Sequence, residues 1–250
     1  YKRQVIPNVL TMTDIERLRD TIAGPTEQFP PVPQDEGPLH WDSIWRDLLD
    51  NPAIDPLLES LIGNPDLRHR RDRQNRAAKP TYRLDHINVH THVAKGFEGG
   101  ILHGGWNGVS GFYRYDNGTL FNGLTTVSFE LYDTTGNDGG FACIPGSHKA
   151  NIPAPRGWLD LSKGVHPSIT RVSANAGDAI IFTEALTHGT LPWHVDDPRS
   201  TVFYKFSPHT LSWSADFYDR EDFVCYKDIS ERKLALLEKP NARYPKRPKS

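Results

Sequence analysis

The sequence predicts a mainly β protein with flanking α-helices, its strands arranged as a double-sheet sandwich or barrel. Three observations carry this. Short β-rich runs separated by turn signals fill the chain from about residue 81: "GFYRY" then "DNG", "LTTVSFELYD" then "TTGNDGG", and "FACIPGS", "DAIIF" and "STVFYKFS". Strands spaced this regularly over more than a hundred residues stack as two sheets or close into a barrel. Before residue 81 the texture is helical instead, and no internal repeat interrupts either part.

The elements follow in order. "TDIERLRDTIAG" sets Thr13 and Glu16 at capping-box spacing, places Ile15, Leu18 and Ile22 on one face and ends at Gly24, which predicts a helix. "PTEQFPPVPQDEGP" is too rich in proline to be regular and predicts a loop. "WDSIWRDLLDNP" and "IDPLLESLIGNP" predict two short helices, each stopped at Asn-Pro because a residue before proline is pushed out of the helical region. "DLRHRRDRQNRAAKP" carries Arg68, Arg70, Arg71, Arg73, Arg76 and Lys79. It reads as a solvated loop or, alternatively, as a mouth that attracts an anionic substrate. "RLDHINVHTH" predicts a strand whose even-numbered residues share a face. Asn117-Gly118 marks a hairpin, because both residues tolerate positive φ. The polar, basic "NARYPKRPKS" ends the chain. The expected organisation is one domain: a helical part over 1–80, a β core over 81–210 and an irregular C-terminal extension over 211–250.

Composition narrows the partners. A hydrophobic share of 37% and a formal net charge of -2 describe an ordinary soluble globular chain with no overall attraction for nucleic acid or an anionic membrane. No run approaches the roughly 18 apolar residues of a membrane span, and no targeting signal is visible. Two cysteines, Cys143 and Cys225, make neither a disulfide framework nor a thiolate metal site, so a reducing, cytoplasmic setting is expected.

Eleven histidines invite a search for a metal. Non-haem iron(II) sites commonly use two histidines and one carboxylate on one face of the ion. A His-x-acid pair on a strand supplies two of the three, since residues i and i+2 point to the same side. A literal His-x-Asp, His194 and Asp196, occurs in "PWHVDDP", followed by His209 and Arg220. A separation of thirteen positions from Asp196 to His209 cannot hold the intervening strands of a sandwich, and the segment reads as a polar turn. The better pair is His103, in "GILHGGWNG", and His188, in "GDAIIFTEALTHGT", with several strand-like runs between them. Eleven residues after His188 comes Arg199, where an arginine can reach into the barrel and grip a carboxylate with two parallel hydrogen bonds. Thr190 can add a hydroxyl to the same carboxylate.

"GDAIIFTEALTHGT…R" together with the earlier "NDGGFACIPGSHKAN" resembles the phytanoyl-CoA dioxygenase family of iron(II)/2-oxoglutarate oxygenases, over roughly residues 81 to 210. The resemblance implies a double-stranded β-helix (jelly roll), Fe(II) held by His103 and His188, O2 and 2-oxoglutarate as cosubstrates, and Arg199 on the far carboxylate of 2-oxoglutarate. Asn88, on the same face of its strand as His86, His90 and His92, is a candidate contact for the cosubstrate, although ordinary polar positions on a half-buried strand are the commoner reading of such residues.

One part of the family's pattern is missing. Two residues after His103, where the family carries Asp or Glu, stands Gly105. Three accounts compete. In the first, the vacant position admits chloride, as in the iron/2-oxoglutarate halogenases, whose His-x-Gly or His-x-Ala motif this resembles; the product is then a chlorinated small molecule. In the second, a carboxylate arrives from elsewhere and the reaction is hydroxylation. Glu184 and Glu130 are the candidates, although Glu184 stands about 13 Å from His188 along an extended strand and needs a bent backbone to reach the same ion. In the third, catalysis is lost and the domain is a binding module. Retention of both histidines and the arginine argues against the third, and the sequence leaves the first two open. Trp106, Asn107, His90, Asn122 and Trp193 are candidates for the wall of the substrate pocket, although such aromatic residues more often pack a core.

Overall fold

The computed structural model describes residues 4–22, 37–62, 80–92, 95–96, 99–104, 111–150 and 152–240. The basic run over 68–79, most of the proline-rich loop, the C-terminal tail, and Gly105, Trp106 and Asn107 lie outside the described residues.

In chain order the strands are β1 Gln4–Ile6, β2 Tyr82–His92, β3 Tyr113–Asp116, β4 Thr119–Asn122, β5 Thr125–Glu130, β6 Gly140–Cys143, β7 Thr170–Arg171, β8 Ala179–Thr183, β9 His188–Leu191 and β10 Arg199–Pro208. A five-stranded antiparallel sheet runs β1-β8-β5-β10-β2, a three-stranded sheet runs β7-β6-β9, and β3 and β4 form a separate hairpin. This is the jelly roll that the sequence predicts. The hairpin turns at Asn117 (φ 47°) and Gly118 (φ 78°), the positive-φ pair that a two-residue turn requires.

The register of the large sheet sorts its residues cleanly. On one face Val202, Tyr204, Val127, Phe129 and Ile181 pack against Ile15, Leu18 and Trp45 of the helical part, forming the main core. Those core residues come from the helices Met12–Ile22 and Ser43–Asp47. The other face is polar over three strands: His86, Asn88, His90 and His92 on β2, Arg199, Thr201 and Lys205 on β10, and Thr126, Ser128 and Glu130 on β5. Only towards β8 does it become apolar, where Ile180 and Phe182 meet Phe141 and Cys143 of the small sheet. A strand buried on both faces while carrying this many polar groups needs partners for them, and the jelly roll provides a cavity where the partners are functional.

Four expectations shift. The first helix is capped two residues earlier than Thr13–Glu16: the Thr11 hydroxyl accepts from the Asp14 amide (3.2 Å) while the Asp14 carboxylate accepts from the Thr11 amide (2.9 Å). The N-terminal part also contributes β1, which pairs with β8 at the edge of the large sheet. The C-terminal extension is not wholly irregular. It holds a helix, Glu231–Leu236, capped by Ser230, whose Leu234 and Leu236 enter the main core. The fourth is a bulge in β2, where Asp85 has no partner opposite Lys205 and Phe206. Its fully buried carboxylate accepts from Arg83 (3.1 Å), His86 (2.7 Å) and the amides of Trp213 and Ser214 (3.0 and 3.1 Å), tying the extension to the sheet. Among the described residues no helix is long and apolar enough to cross a membrane.

Candidate metal centre

His103 and His188 stand opposite each other in an isolated antiparallel bridge that extends the small sheet beyond β9. Each amide donates to the other's carbonyl at 2.8 Å. A directly opposed pair puts both side chains on one side, and the ring centroids are 4.4 Å apart. His188 is buried and its Nδ1 lies 2.7 Å from the Leu186 carbonyl, which accepts a proton only if Nδ1 carries it. That fixes the tautomer and leaves the Nε2 lone pair free for a metal. His103 makes the same kind of contact more loosely, with Nδ1 3.4 Å from the Ile101 carbonyl, and its ring is exposed.

The carboxylate beside them is Glu184. One ligand atom from each of His103, Glu184 and His188 lies within 4.8 Å of the others, and Glu184 Oε2 is 3.6 Å from His188 Nε2. The extended geometry that separates the two residues does not exist: β8 ends at Thr183, and the chain turns, with the Leu186 amide on the Thr183 carbonyl at 2.9 Å. Gly104 allows this turn to sit against the His103 strand. Its φ is +106°, and a Cβ there would collide with the carbonyl oxygens of Leu186 and Glu184.

Glu184 is itself held. Its Oε1 accepts from Lys205 Nζ at 2.9 Å and from Thr126 Oγ1 at 2.5 Å. Burial alone would raise this carboxyl, but Lys205, His188 and the two hydrogen bonds together carry it down to about 2. Burial drives His188 down to about 4, opposed by Glu184 and reinforced by His103. At neutral pH Glu184 is therefore a carboxylate and His188 a neutral imidazole, the protonation states in which each can bind a metal.

The second candidate ligand, Glu130, is not brought to the histidines. Its Oε2 is 3.6 Å from Arg199 Nη2 and accepts from Thr201 at 2.8 Å, while its Oε1 accepts from Ser128 at 2.6 Å. It balances part of the charge of Arg199, which is 1% exposed. The arginine's Nε and Nη1 have no hydrogen-bond partner among the described residues. Two buried guanidinium nitrogens without a partner leave donors for a carboxylate arriving in the cavity. Gly140 opens the space above them, since a Cβ there would meet Nε at 3.4 Å.

The remaining candidates are dispersed. Asn88 is on the polar face and its Oδ1 is buried without a hydrogen bond. His90 is on the same face with its ring 4.7 Å from Phe203, and burial, then Arg199 and Lys205, push its pKa down to about 3. Thr190 is half-buried on β9 opposite Phe141. Asn122 is buried at the end of β4, donating to Thr125 at 2.6 Å. Trp193 is 2% exposed, and its Nε1 closes a loop on the Asp197 carbonyl at 2.9 Å. Lys205 and Thr126 escape a search for metal ligands. The signal for Lys205 is a lone lysine inside the apolar run "TVFYKF".

Jelly roll, donor set and half-free arginine fit one class, the iron(II)/2-oxoglutarate oxygenases, whose sites commonly use two histidines and a carboxylate. The profile of phytanoyl-CoA dioxygenase (PhyH) matches residues 5–201, and the chain belongs to that family. HygX from Streptomyces hygroscopicus, solved with nickel and 2-oxoglutarate bound, is 20% identical and superposes with a TM-score of 0.66 over 84% of this chain and 83% of its own. SnoN, a non-heme alpha ketoglutarate dependent epimerase from nogalamycin biosynthesis, is 18% identical with a TM-score of 0.54 over 83% and 79%. AviO1 from Streptomyces viridochromogenes Tue57 is 15% identical with a TM-score of 0.54 over 82% and 90%. At these identities the likeness is one of fold. No curated protein sequence matches the chain.

Proposed function

We propose that this chain uses Fe(II) and 2-oxoglutarate to oxygenate an unactivated C–H bond of a small molecule, with the metal held by His103, Glu184 and His188. The observation that carries the reading is Glu184, a carboxylate supplied by the turn after β8 at metal-ligand spacing from His188. It takes the part of the acid that the His103 motif lacks, and so favours hydroxylation over halogenation. HygX has also been solved with nickel, 2-oxoglutarate and hygromycin B bound, and a small polar natural product is the class of substrate this suggests here.

When bound, the iron and its cosubstrate supply the oxidising power. The chain's own groups do the rest. Arg199 takes the far carboxylate of 2-oxoglutarate with donors that the protein leaves unpartnered, while Glu130 balances part of the buried charge at Nη2. Asn88 and Thr190 are the neighbouring polar contacts. His90 stays neutral beside Phe203 and adds no positive charge to a cavity that already contains Arg199 and Lys205.

Gly105 supports a second reading, in which chloride occupies the place of the acid and Glu184 stays on Lys205. Incubation with Fe(II), 2-oxoglutarate, O2 and either chloride or bromide, with products read by mass spectrometry, separates the two. Oxygenated products unchanged by halide support the proposal. A brominated product, or Gly105→Asp converting halogenation into hydroxylation, overturns it. No 2-oxoglutarate consumption with any substrate, iron supplied, returns the chain to a binding role.

A further inference from the structure

Glu184 differs from an acid two residues after the histidine in being a long side chain on a turn, with two oxygens that can both reach an ion. Its surroundings treat those oxygens unequally. Lys205 and Thr126 are register partners on β10 and β5, so their side chains stand together on the polar face. Both donate to the same oxygen, Oε1, at 2.9 and 2.5 Å. The other oxygen, Oε2, is the one 3.6 Å from His188 Nε2. Lys205 is 18% exposed and spends its charge inside the cavity, in a position where a purely structural strand calls for an apolar residue.

We propose that Lys205, assisted by Thr126, is a positioning residue that occupies Oε1 of Glu184 and so restricts Glu184 to a single bond to the metal through Oε2. The inference rests on Glu184 being a ligand. Its consequence is for cosubstrate: every coordination position that Glu184 takes is withheld from 2-oxoglutarate. A clamp on one oxygen keeps a flexible carboxylate from closing on the ion with both. Outer partners of metal ligands commonly act in this way, orienting the ligand without touching the ion.

The test uses the full chain loaded with Mn(II), titrated anaerobically with 2-oxoglutarate by calorimetry. Lys205→Met is expected to weaken 2-oxoglutarate binding about tenfold, the scale of outer-partner effects at metal sites, and to change the Mn(II) electron paramagnetic resonance spectrum. Lys205→Arg, which keeps a donor, restores most of both. In a Glu184→Ala background the same lysine change has no effect, because no second oxygen competes. An equal loss in both backgrounds means that Lys205 contacts 2-oxoglutarate directly and overturns the proposal, as does unchanged affinity and spectrum in Lys205→Met. Should Lys205→Met not fold, Thr126→Val removes one of the two donors; a smaller loss in the same direction supports the clamp, and none overturns it. Failure of the underlying assignment looks different: Glu184→Ala then binds Mn(II) as tightly as the unaltered protein.

Discussion

Gly104→Ala is the substitution whose cost is most directly readable. Gly104 adopts φ +106°, where an L side chain is strained by about 1–3 kcal/mol. Its new Cβ would also fall against two backbone carbonyls, 2.9 Å from that of Glu184 and closer still to that of Leu186. Backbone cannot swing aside as a flexible side chain does, so an overpacking cost of about 1–3 kcal/mol adds to the strain. The control is Gly118→Ala in the hairpin turn, at φ +78° with nothing within 4 Å, which carries the strain alone. In urea unfolding, Gly104→Ala is expected to lose about 2–6 kcal/mol and Gly118→Ala about 1–2 kcal/mol. The clash has a further consequence, because the turn it displaces carries Glu184. Mn(II) affinity therefore falls in Gly104→Ala and not in Gly118→Ala. Equal destabilisation in the two variants, with Mn(II) affinity intact in both, refutes the reasoning.

Three other outcomes are expected. Arg199→Met removes the free donors and leaves Glu130 buried without its cation; 2-oxoglutarate binding weakens by about 2–5 kcal/mol by calorimetry, and Arg199→Lys recovers only part, lacking the planar pair of donors. Metal-free protein loses stability as pH falls from 6.5 to about 4, because unfolded His188 takes up a proton there while the buried ring, with its pKa down to about 4, does not. That contributes about 3 kcal/mol at most, and urea midpoints across the window read it. Glu184, with its carboxyl at about 2, adds a second loss only below its ordinary 4.5. Adding Mn(II) at a hundred times its dissociation constant stabilises the protein by about 2.7 kcal/mol, a gain that Glu184→Ala at the same concentration should lack in a thermal-shift assay.

The strand texture was legible because alternation is a local property. "LTTVSFELYD" separates Val127 and Phe129, which meet the helices, from Thr126, Ser128 and Glu130, which face the cavity. The histidine pair and Arg199 were legible from spacing, and the bridge at His103 brings together what the chain holds 85 residues apart. Glu184 was visible only as one of two candidates. Its reach depended on whether residues 184–187 continue the strand or turn; the Thr183 hydroxyl and carbonyl close that turn on the amides of Ala185 and Leu186, and Gly104 leaves room for it. Lys205 was hidden because its partner lies on another element. The helix at 231–236 had its signals in Ser230 and the leucines after it, and reading the extension as irregular overlooked them.

The central claim is that Glu184 stands in for the acid missing at Gly105, and diffraction from crystals loaded with Mn(II), 2-oxoglutarate and bromide, collected at both anomalous edges, tests it most directly. The account predicts manganese bonded to His103, His188 and Oε2 of Glu184, with no bromide on the metal. Bromide bound beside Gly105, with Glu184 held only by Lys205 and Thr126, would contradict it.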